Sequence, residues 1–283
     1  MPKSVDSMKR KFDQFTLNLD YNMKKINLPN KNIDLQFDED RHKYFRDGRE
    51  VPGVTKISGI MDETGWMIPW AAKMAGLKAE EILLDVATSK TEIDEVNYKE
   101  LALQIKNAHK STSGGAIAFG HAGHGILETF INWKLGRGPK PTPPKNEALR
   151  DAVRPFIDWS AEHNPDYISA EEVVYYEGEF AGMKFDYAGT LDLRFNLDGV
   201  HAIGDFKTAA RNRRGYLWQM ALYAAAVEQS FGKRVDKLFL FKLPKDGHKF
   251  KVRDVVLDDR HRQLAPALAA ARSMNYEIDG LIK

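Results

Sequence analysis

No cysteine occurs among the 283 residues, which removes disulfide scaffolds, thiolate nucleophiles, cysteine-held zinc and iron–sulfur clusters together. Any metal must then be held by oxygen or imidazole nitrogen. Long apolar runs are missing as well: the longest, Met220 to Val227, is less than half of the roughly 18 residues that suggest a membrane span. Net charge is also small. Lys and Arg outnumber Asp and Glu by a net +2, so overall charge neither demands nor forbids a polyanionic partner. The opening MPKSVDSMKRKF is basic but no apolar stretch follows it, so no secretory leader is visible and the expected location is the cytoplasm. What is present, 43% hydrophobic and 29% charged, is the composition of a globular domain and excludes disorder for most of the chain.

Residues 1 to 31 are polar and rich in Lys and Asn, and read as an arm or tail. From Ile33 the alternation of apolar and polar residues around Asp47-Gly48 predicts a β-hairpin. Apolar spacings of three and four across 64–76 and 80–108 predict several helices, so that 32–112 forms a hairpin-and-helix region. Ser113-Gly114-Gly115 reads as a break that opens a core over 113–283. That core begins with a helix closing at Gly136, a Pro-rich loop and a second helix over Glu147 to His163. Three antiparallel strands follow, Ala170 to Tyr176, Gly182 to Phe195 and Val200 to Thr208, with turns at Gly178 and Asp198-Gly199. A helix over Arg213 to Gln229, strands over Lys237 to Leu243 and Lys249 to Leu257, and a helix over Asp258 to Met274 capped by Asp258 or Asp259 complete an α/β pattern.

Period two along Gly189 to Phe195 puts Leu191, Leu193 and Phe195 on one face and Asp192 with Arg194 on the other. On the next strand Asp205 and Lys207 share a side, with Phe206 opposite. If these strands pair through Asp198-Gly199, two carboxylates meet at one place, and they repel unless a cation lies between them. Without thiols, Mg²⁺ or Mn²⁺ on carboxylates is the natural choice. Ion pairs of Asp192 with Arg194 and of Asp205 with Lys207 on solvated strands would explain the same pattern. His124 and Glu128 stand four apart on a helix whose Gly123 and Gly125 suggest a close approach by another element. Gln219 and Tyr223 repeat that spacing on a later helix, and Arg211, Arg213 and Arg214 cluster just before it, where a phosphate backbone could lie.

Taken together, G-x-x-x-H-x-x-x-E at Gly120, His124 and Glu128, G-x-x-D at Gly189 and Asp192, G-D-F-K-T at Gly204 to Thr208, and Q-x-x-x-Y at Gln219 and Tyr223 resemble the PD-(D/E)XK nucleases of the RecB-like branch. The likeness covers mainly 115–245. Upstream, H-x-Y at His42 and Tyr44 and V-P-G-V-T at Val51 to Thr55 look like the exonuclease members that lack an iron–sulfur cluster. The resemblance implies a restriction-endonuclease-like α/β core, a mixed central sheet flanked by helices with a mainly helical N-terminal elaboration. It implies His124, Asp192, Asp205 and the Phe206 carbonyl as metal ligands and Lys207 as the catalytic lysine. A further glutamate falls at Glu171 or Glu172, of which only one can face the site; Glu172 is the choice made here. Gln219 and Tyr223 would brace the site or touch DNA, and Glu128 would support His124. The implied activity is Mg²⁺-dependent DNA exonuclease action from free ends, Mn²⁺ substituting, in recombination, repair or replication beside a helicase, recombinase or single-strand-binding protein. A structure-specific endonuclease and a non-catalytic DNA-binding module are the alternatives.

Overall fold

The computed structural model describes residues 22–61, 67–88, 90–91, 93–94, 97–209, 213–245 and 248–282, with the side chains of 60, 111, 112, 214 and 275–282 left aside. It opens with a four-stranded antiparallel sheet: β1 Met23–Leu28, β2 Lys31–Asp38, β3 Lys43–Arg46 and β4 Arg49–Val51, in that order. The expected hairpin is there, with Asp47 and Gly48 at φ 49° and 77°, the left-handed pair that a two-residue turn demands. The arm reading of 1–31 is corrected over its last part. Met23–Leu28 is an edge strand paired with β2, and the Leu28-Pro29-Asn30 break is the end of that strand. Its exposed lysines hid it, because only one side of an edge strand meets a core.

A short helix, α1 Val54–Ser58, and a single 3₁₀ turn lead to two long helices, α2 Met67–Ala87 and α3 Tyr98–Lys134. The break expected at Ser113-Gly114-Gly115 is absent, since α3 runs through it unbroken for 37 residues. Two glycines cost a helix about 1 kcal/mol each, too little to end one whose turns are formed on both sides. Gly136 at φ 71° follows the helix end, as expected. Helix α4, Glu147–His163, matches its predicted bounds; the Asn146 side chain accepts the Leu149 N–H at 3.1 Å, and Asn164 closes it in a left-handed conformation.

The central sheet is five-stranded and mixed, in the order β5 Asp166–Phe180, β6 Met183–Leu197, β7 Val200–Lys207, β8 Lys237–Lys242 and β9 Lys251–Val256. Only β7 and β8 are parallel, and α5 Arg214–Phe231 makes the crossover between them. The last helix, α6 Asp259–Ile282, begins with Asp258 accepting the His261 N–H at 3.0 Å. A mixed sheet flanked by helices is thus the architecture, consistent with a restriction-endonuclease-like core. One turn is corrected: β5 passes through Gly178 and turns at Ala181-Gly182 instead. Gly178 marks a crowded pairing, where a Cβ would come within 2.9 Å of the Tyr176 ring.

Both faces of this sheet are buried. On one, Leu127, Phe130 and Ile131 of α3 and Phe156 and Trp159 of α4 pack on Leu193, Phe195, Phe206, Phe239 and Phe241. On the other, α1, α5 and α6 cover Leu191, Ile203, Leu238 and Leu240. The small sheet covers Val173, Tyr175 and Ala188 with Leu35, Phe37 and Tyr44. Leu191 therefore parts company with Leu193 and Phe195, contrary to simple alternation. The β5–β6 ladder pairs Glu172 with Leu191 and Ala170 with Leu193, and Glu171 between them sits at φ 45°. That left-handed residue turns the hairpin just where the faces exchange.

Candidate active site

The β6–β7 ladder runs from Leu197↔Val200 to Leu193↔Gly204 and stops. The next residues along the two strands are Asp192 and Asp205, so both aspartates stand where the strands part. Asp192 uses the opening: its Oδ2 accepts the Phe206 N–H at 2.7 Å, a backbone donor the ladder has released. Gly204 and Gly189 hold this geometry by lacking a side chain. A Cβ on Gly204 would meet the Phe241 ring at 2.9 Å, and one on Gly189 would meet Tyr223 at 2.6 Å and Val54 at 2.8 Å.

Helix α3 brings His124 across this opening. Its Nε2 is 3.0 Å from the Phe206 carbonyl and its Nδ1 is 3.5 Å from Asp192. The approach expected at Gly123 and Gly125 is met at Gly123, which is buried with a Cβ there 3.8 Å from Leu243, and more tightly at Gly120, with a Cβ 3.3 Å from the Thr208 hydroxyl, while Gly125 faces open space. Lys207 lies 2.7 and 2.8 Å from the two oxygens of Asp205, and its ammonium stands 5.0 Å over the Tyr216 ring. The alternative pairing of Asp192 with Arg194 does not form.

The choice of Glu172 is corrected. Glu172 is held by Arg194 at 2.8–2.9 Å and by the Ser169 hydroxyl at 2.7 Å, and that guanidinium stacks 4.1 Å over Phe231. Glu171 faces the site. Among the described residues, His124, Glu171 and Asp192 can bring one ligand atom each within 4.8 Å of one another. The left-handed φ of Glu171 is what aims it, and Leu, Val or Glu at such a φ leave no mark in a pattern of alternating polarity.

The electrostatics follow from this crowding. Burial and the neighbouring charge of Asp192 push the Glu171 carboxyl up to about 8. Burial likewise raises Asp205 to about 6, against the pull of Lys207. Burial opposes a charge on His124, but Asp192 and Asp205 outweigh it and raise the imidazole to about 9. Lys207 is raised by the same two carboxylates despite its burial, so it is a held cation. Asp192 is lowered: burial works against its charge, and His124 more than compensates.

Two carboxylates and an imidazole, with no thiol, form a donor set for a hard divalent cation, and the Asp205 carboxylate and the Phe206 carbonyl stand beside them. The surplus of negative charge that raises Glu171 is what such an ion would relieve. The residues fit a metal.

Of the other expected residues, Glu128 is half-buried and close enough to Glu171 to raise it further. Gln219 reaches Thr55 at 3.4 Å, and Tyr223, one helical turn on, is buried against Gly189. Arg213 is exposed at the start of α5; Arg211 and the Arg214 side chain lie outside the described residues. Sequence reasoning assigned no role to Tyr44, whose hydroxyl meets the Thr190 hydroxyl at 2.8 Å, two residues before Asp192. The H-x-Y pattern was the signal that could have found it. No helix among the described residues is long and apolar enough to cross a membrane.

No family description matches the chain, and no curated protein does. Solved structures do. SSO0001 aligns with TM-score 0.32 and 14% identity over 75% of this chain and 87% of that one. A protein named as an exonuclease from Eubacterium rectale aligns with TM-score 0.35 and 16% identity over 56% of this chain and 65% of that one. The alkaline exonuclease LHK-Exo of Laribacter hongkongensis aligns with TM-score 0.30 and 13% identity over 54% and 79%, and it has also been solved with dAMP. Scores of this size, all below 0.5, leave the site's own residues to carry the functional reading.

Proposed function

We propose that this chain is a metal-dependent deoxyribonuclease that hydrolyses phosphodiester bonds from free DNA ends, with Mg²⁺ as its ion. The observation that carries the reading is the convergence of His124, Glu171, Asp192, Asp205 and Lys207 on the point where β6 and β7 part. Asp192, Asp205 and Glu171, with His124 and the Phe206 carbonyl, would hold the ion. The contact of 3.0 Å between His124 and that carbonyl would have to open for both to serve. The ion, when bound, supplies a Lewis acid for the scissile phosphate and a more acidic water.

The chain's own residues do the rest. Lys207, kept cationic by Asp205 and Asp192, stands ready to offset charge growing on the phosphoryl oxygens. Its place is set by the Asp205 ion pair and by the Tyr216 ring, so little reorganisation is needed as charge develops. Asp192 ties the Phe206 N–H, which fixes the strand end that carries Asp205 and Lys207. Gln219 and Tyr223 close the floor of the site behind Gly189. Arg213, exposed at the start of α5, would supply a phosphate contact.

The test is digestion of end-labelled linear single-stranded, linear duplex and closed circular DNA, with Mg²⁺ and with EDTA, beside Asp205→Ala. Loss of the linear substrates with circles spared, only with metal and only in the unaltered chain, is the expected result. Cleavage of circles would make the chain an endonuclease. No metal-dependent cleavage of any substrate would overturn the enzyme reading in favour of a DNA-binding module.

A further inference from the structure

One lysine beside the metal-ligand cluster plays no part in the chemistry proposed above. We infer that Lys245, its ammonium seated over the Phe119 ring, holds the phosphate of the DNA strand next to the one that is cut. This rests on the nuclease reading and adds a substrate subsite to it.

Direct contacts place this pair at the mouth of the site. β7 and β8 are the parallel strands of the sheet, and the carboxyl ends of such strands are where an open α/β sheet takes its ligand. The end of β7 carries Asp205 and Lys207. The end of β8 is tied to it, since the Leu243 N–H donates to the Lys207 carbonyl at 2.9 Å. Lys245 follows two residues later, so its Cα lies within about 7 Å of that of Leu243. Helix α3 meets both strand ends: a Cβ on Gly123 would stand 3.8 Å from Leu243, and one on Gly120 3.3 Å from the hydroxyl of Thr208, the residue after Lys207. Phe119 precedes Gly120 on that helix, and the Lys245 ammonium stands over its ring, 5.2 Å from the centre.

Both residues are half-buried. A lysine that only covered the ring with its methylene stem would send its ammonium out to water, whereas here the ammonium itself is the group over the ring. Lys207 is seated in the same way over Tyr216, but it also has the Asp205 carboxylate at 2.7 Å. Lys245 has no carboxylate in ion-pair reach among the described residues. A ring face holds an ammonium in place and leaves its N–H donors and its charge to be met by something else. What completes the arrangement is an anion. Of the groups that a DNA strand offers, bases and sugars are neutral and only the phosphodiester is charged, so the phosphate is the group this lysine selects.

Binding of a labelled single-stranded oligonucleotide in Ca²⁺ tests this, followed by anisotropy across a range of KCl, with one linkage at a time replaced by an uncharged methylphosphonate. In the unaltered chain, replacement at the linkage beside the cleaved one should weaken binding about tenfold, the scale of a hydrogen-bonded charge. Lys245→Met keeps a stem over Phe119 and removes the charge. It should weaken binding of the unmodified strand about tenfold, lower the slope of log affinity against log salt by about one, and abolish the penalty at that one linkage while penalties at other linkages persist. Lys245→Arg should restore the penalty, and Lys249→Met, exposed in the same connection, should leave it in place. Lys245→Gln gives the same reading if the Met variant fails to fold. A penalty at that linkage that survives the loss of the Lys245 charge overturns the subsite and leaves the nuclease reading intact. Failure of the unaltered chain to bind any oligonucleotide overturns both.

Discussion

Helix α3 is one element with two lives. Its second half lies on the central sheet, buries Leu127 and Ile131 completely and delivers His124 to the site. Its first half has α2 for company, with a Trp70–His109 ring contact between them, and leaves Leu103 and Ile117 more than half exposed; Leu83 and Leu84 of α2 are exposed to a similar degree. His124, whose imidazole Asp192 and Asp205 raise to about 9 against its burial, lies on the sheet-backed side. The difference teaches that perturbed chemistry here is a product of packing. The sheet fixes carboxylates at a depth where they must share protons or a cation, and among the described residues no sheet backs the two-helix arm to do so.

The sharpest way to break this comparison is to remove the held charges. Asp205→Ala and Lys207→Ala should each lower DNA cleavage by about 10³-fold or more, the scale of losing a preorganised charge at a reacting phosphate, measured as initial rates on linear DNA. Next comes the layer that does the holding. Phe156 is fully buried and touches Phe206 and Phe241 edge-on at 4.8 and 5.0 Å, so Phe156→Ala should cost about 3–5 kcal/mol in denaturant unfolding. Third, Glu171→Gln should reduce cleavage about 10²-fold at unchanged stability. Glu172→Gln should instead act on stability, through the Arg194 guanidinium it leaves buried without its carboxylate.

How far the sequence could be read turns on which physics local pattern contains. Helix α4 was legible to the residue, because Asn146 caps one end and a left-handed Asn164 closes the other. The Asp47-Gly48 and Asp198-Gly199 turns were legible for the same kind of reason: both need two residues at positive φ, and their composition announces it. The motif residues Asp192, Asp205, Lys207 and His124 do meet at one place, with strand period two putting Asp205 and Lys207 on one side. Glu171 was not legible, since its turn toward the site depends on a single backbone angle that reverses the period two on which the choice of Glu172 relied. Strand β1 was missed because its pairing with β2 settles it against weak local signals, and the unbroken α3 because two glycines cost less than the turns on either side of them supply.

Smaller effects sharpen the picture. The raised values of Asp205, Glu171 and His124, about 6, 8 and 9, mean that a cation must displace protons that these groups hold below those values. Mn²⁺ affinity by titration calorimetry should therefore rise with pH across that range, with proton release visible as buffer-dependent heat. A flat profile would mean that the ion binds elsewhere. The smallest effect belongs to the arm: Leu84→Ala, 62% exposed, should change unfolding free energy by less than about 0.5 kcal/mol. A large loss would show that the arm has a packing partner within the fold.

The most direct test of the central claim is anomalous diffraction from crystals of the chain grown with Mn²⁺. The account predicts one strong peak in bonding reach of Glu171, Asp192 and Asp205, beside His124 and away from Glu172, and its loss in Asp192→Asn. Mn²⁺ bound elsewhere while the carboxylates keep the Lys207 and His124 contacts seen here would contradict it.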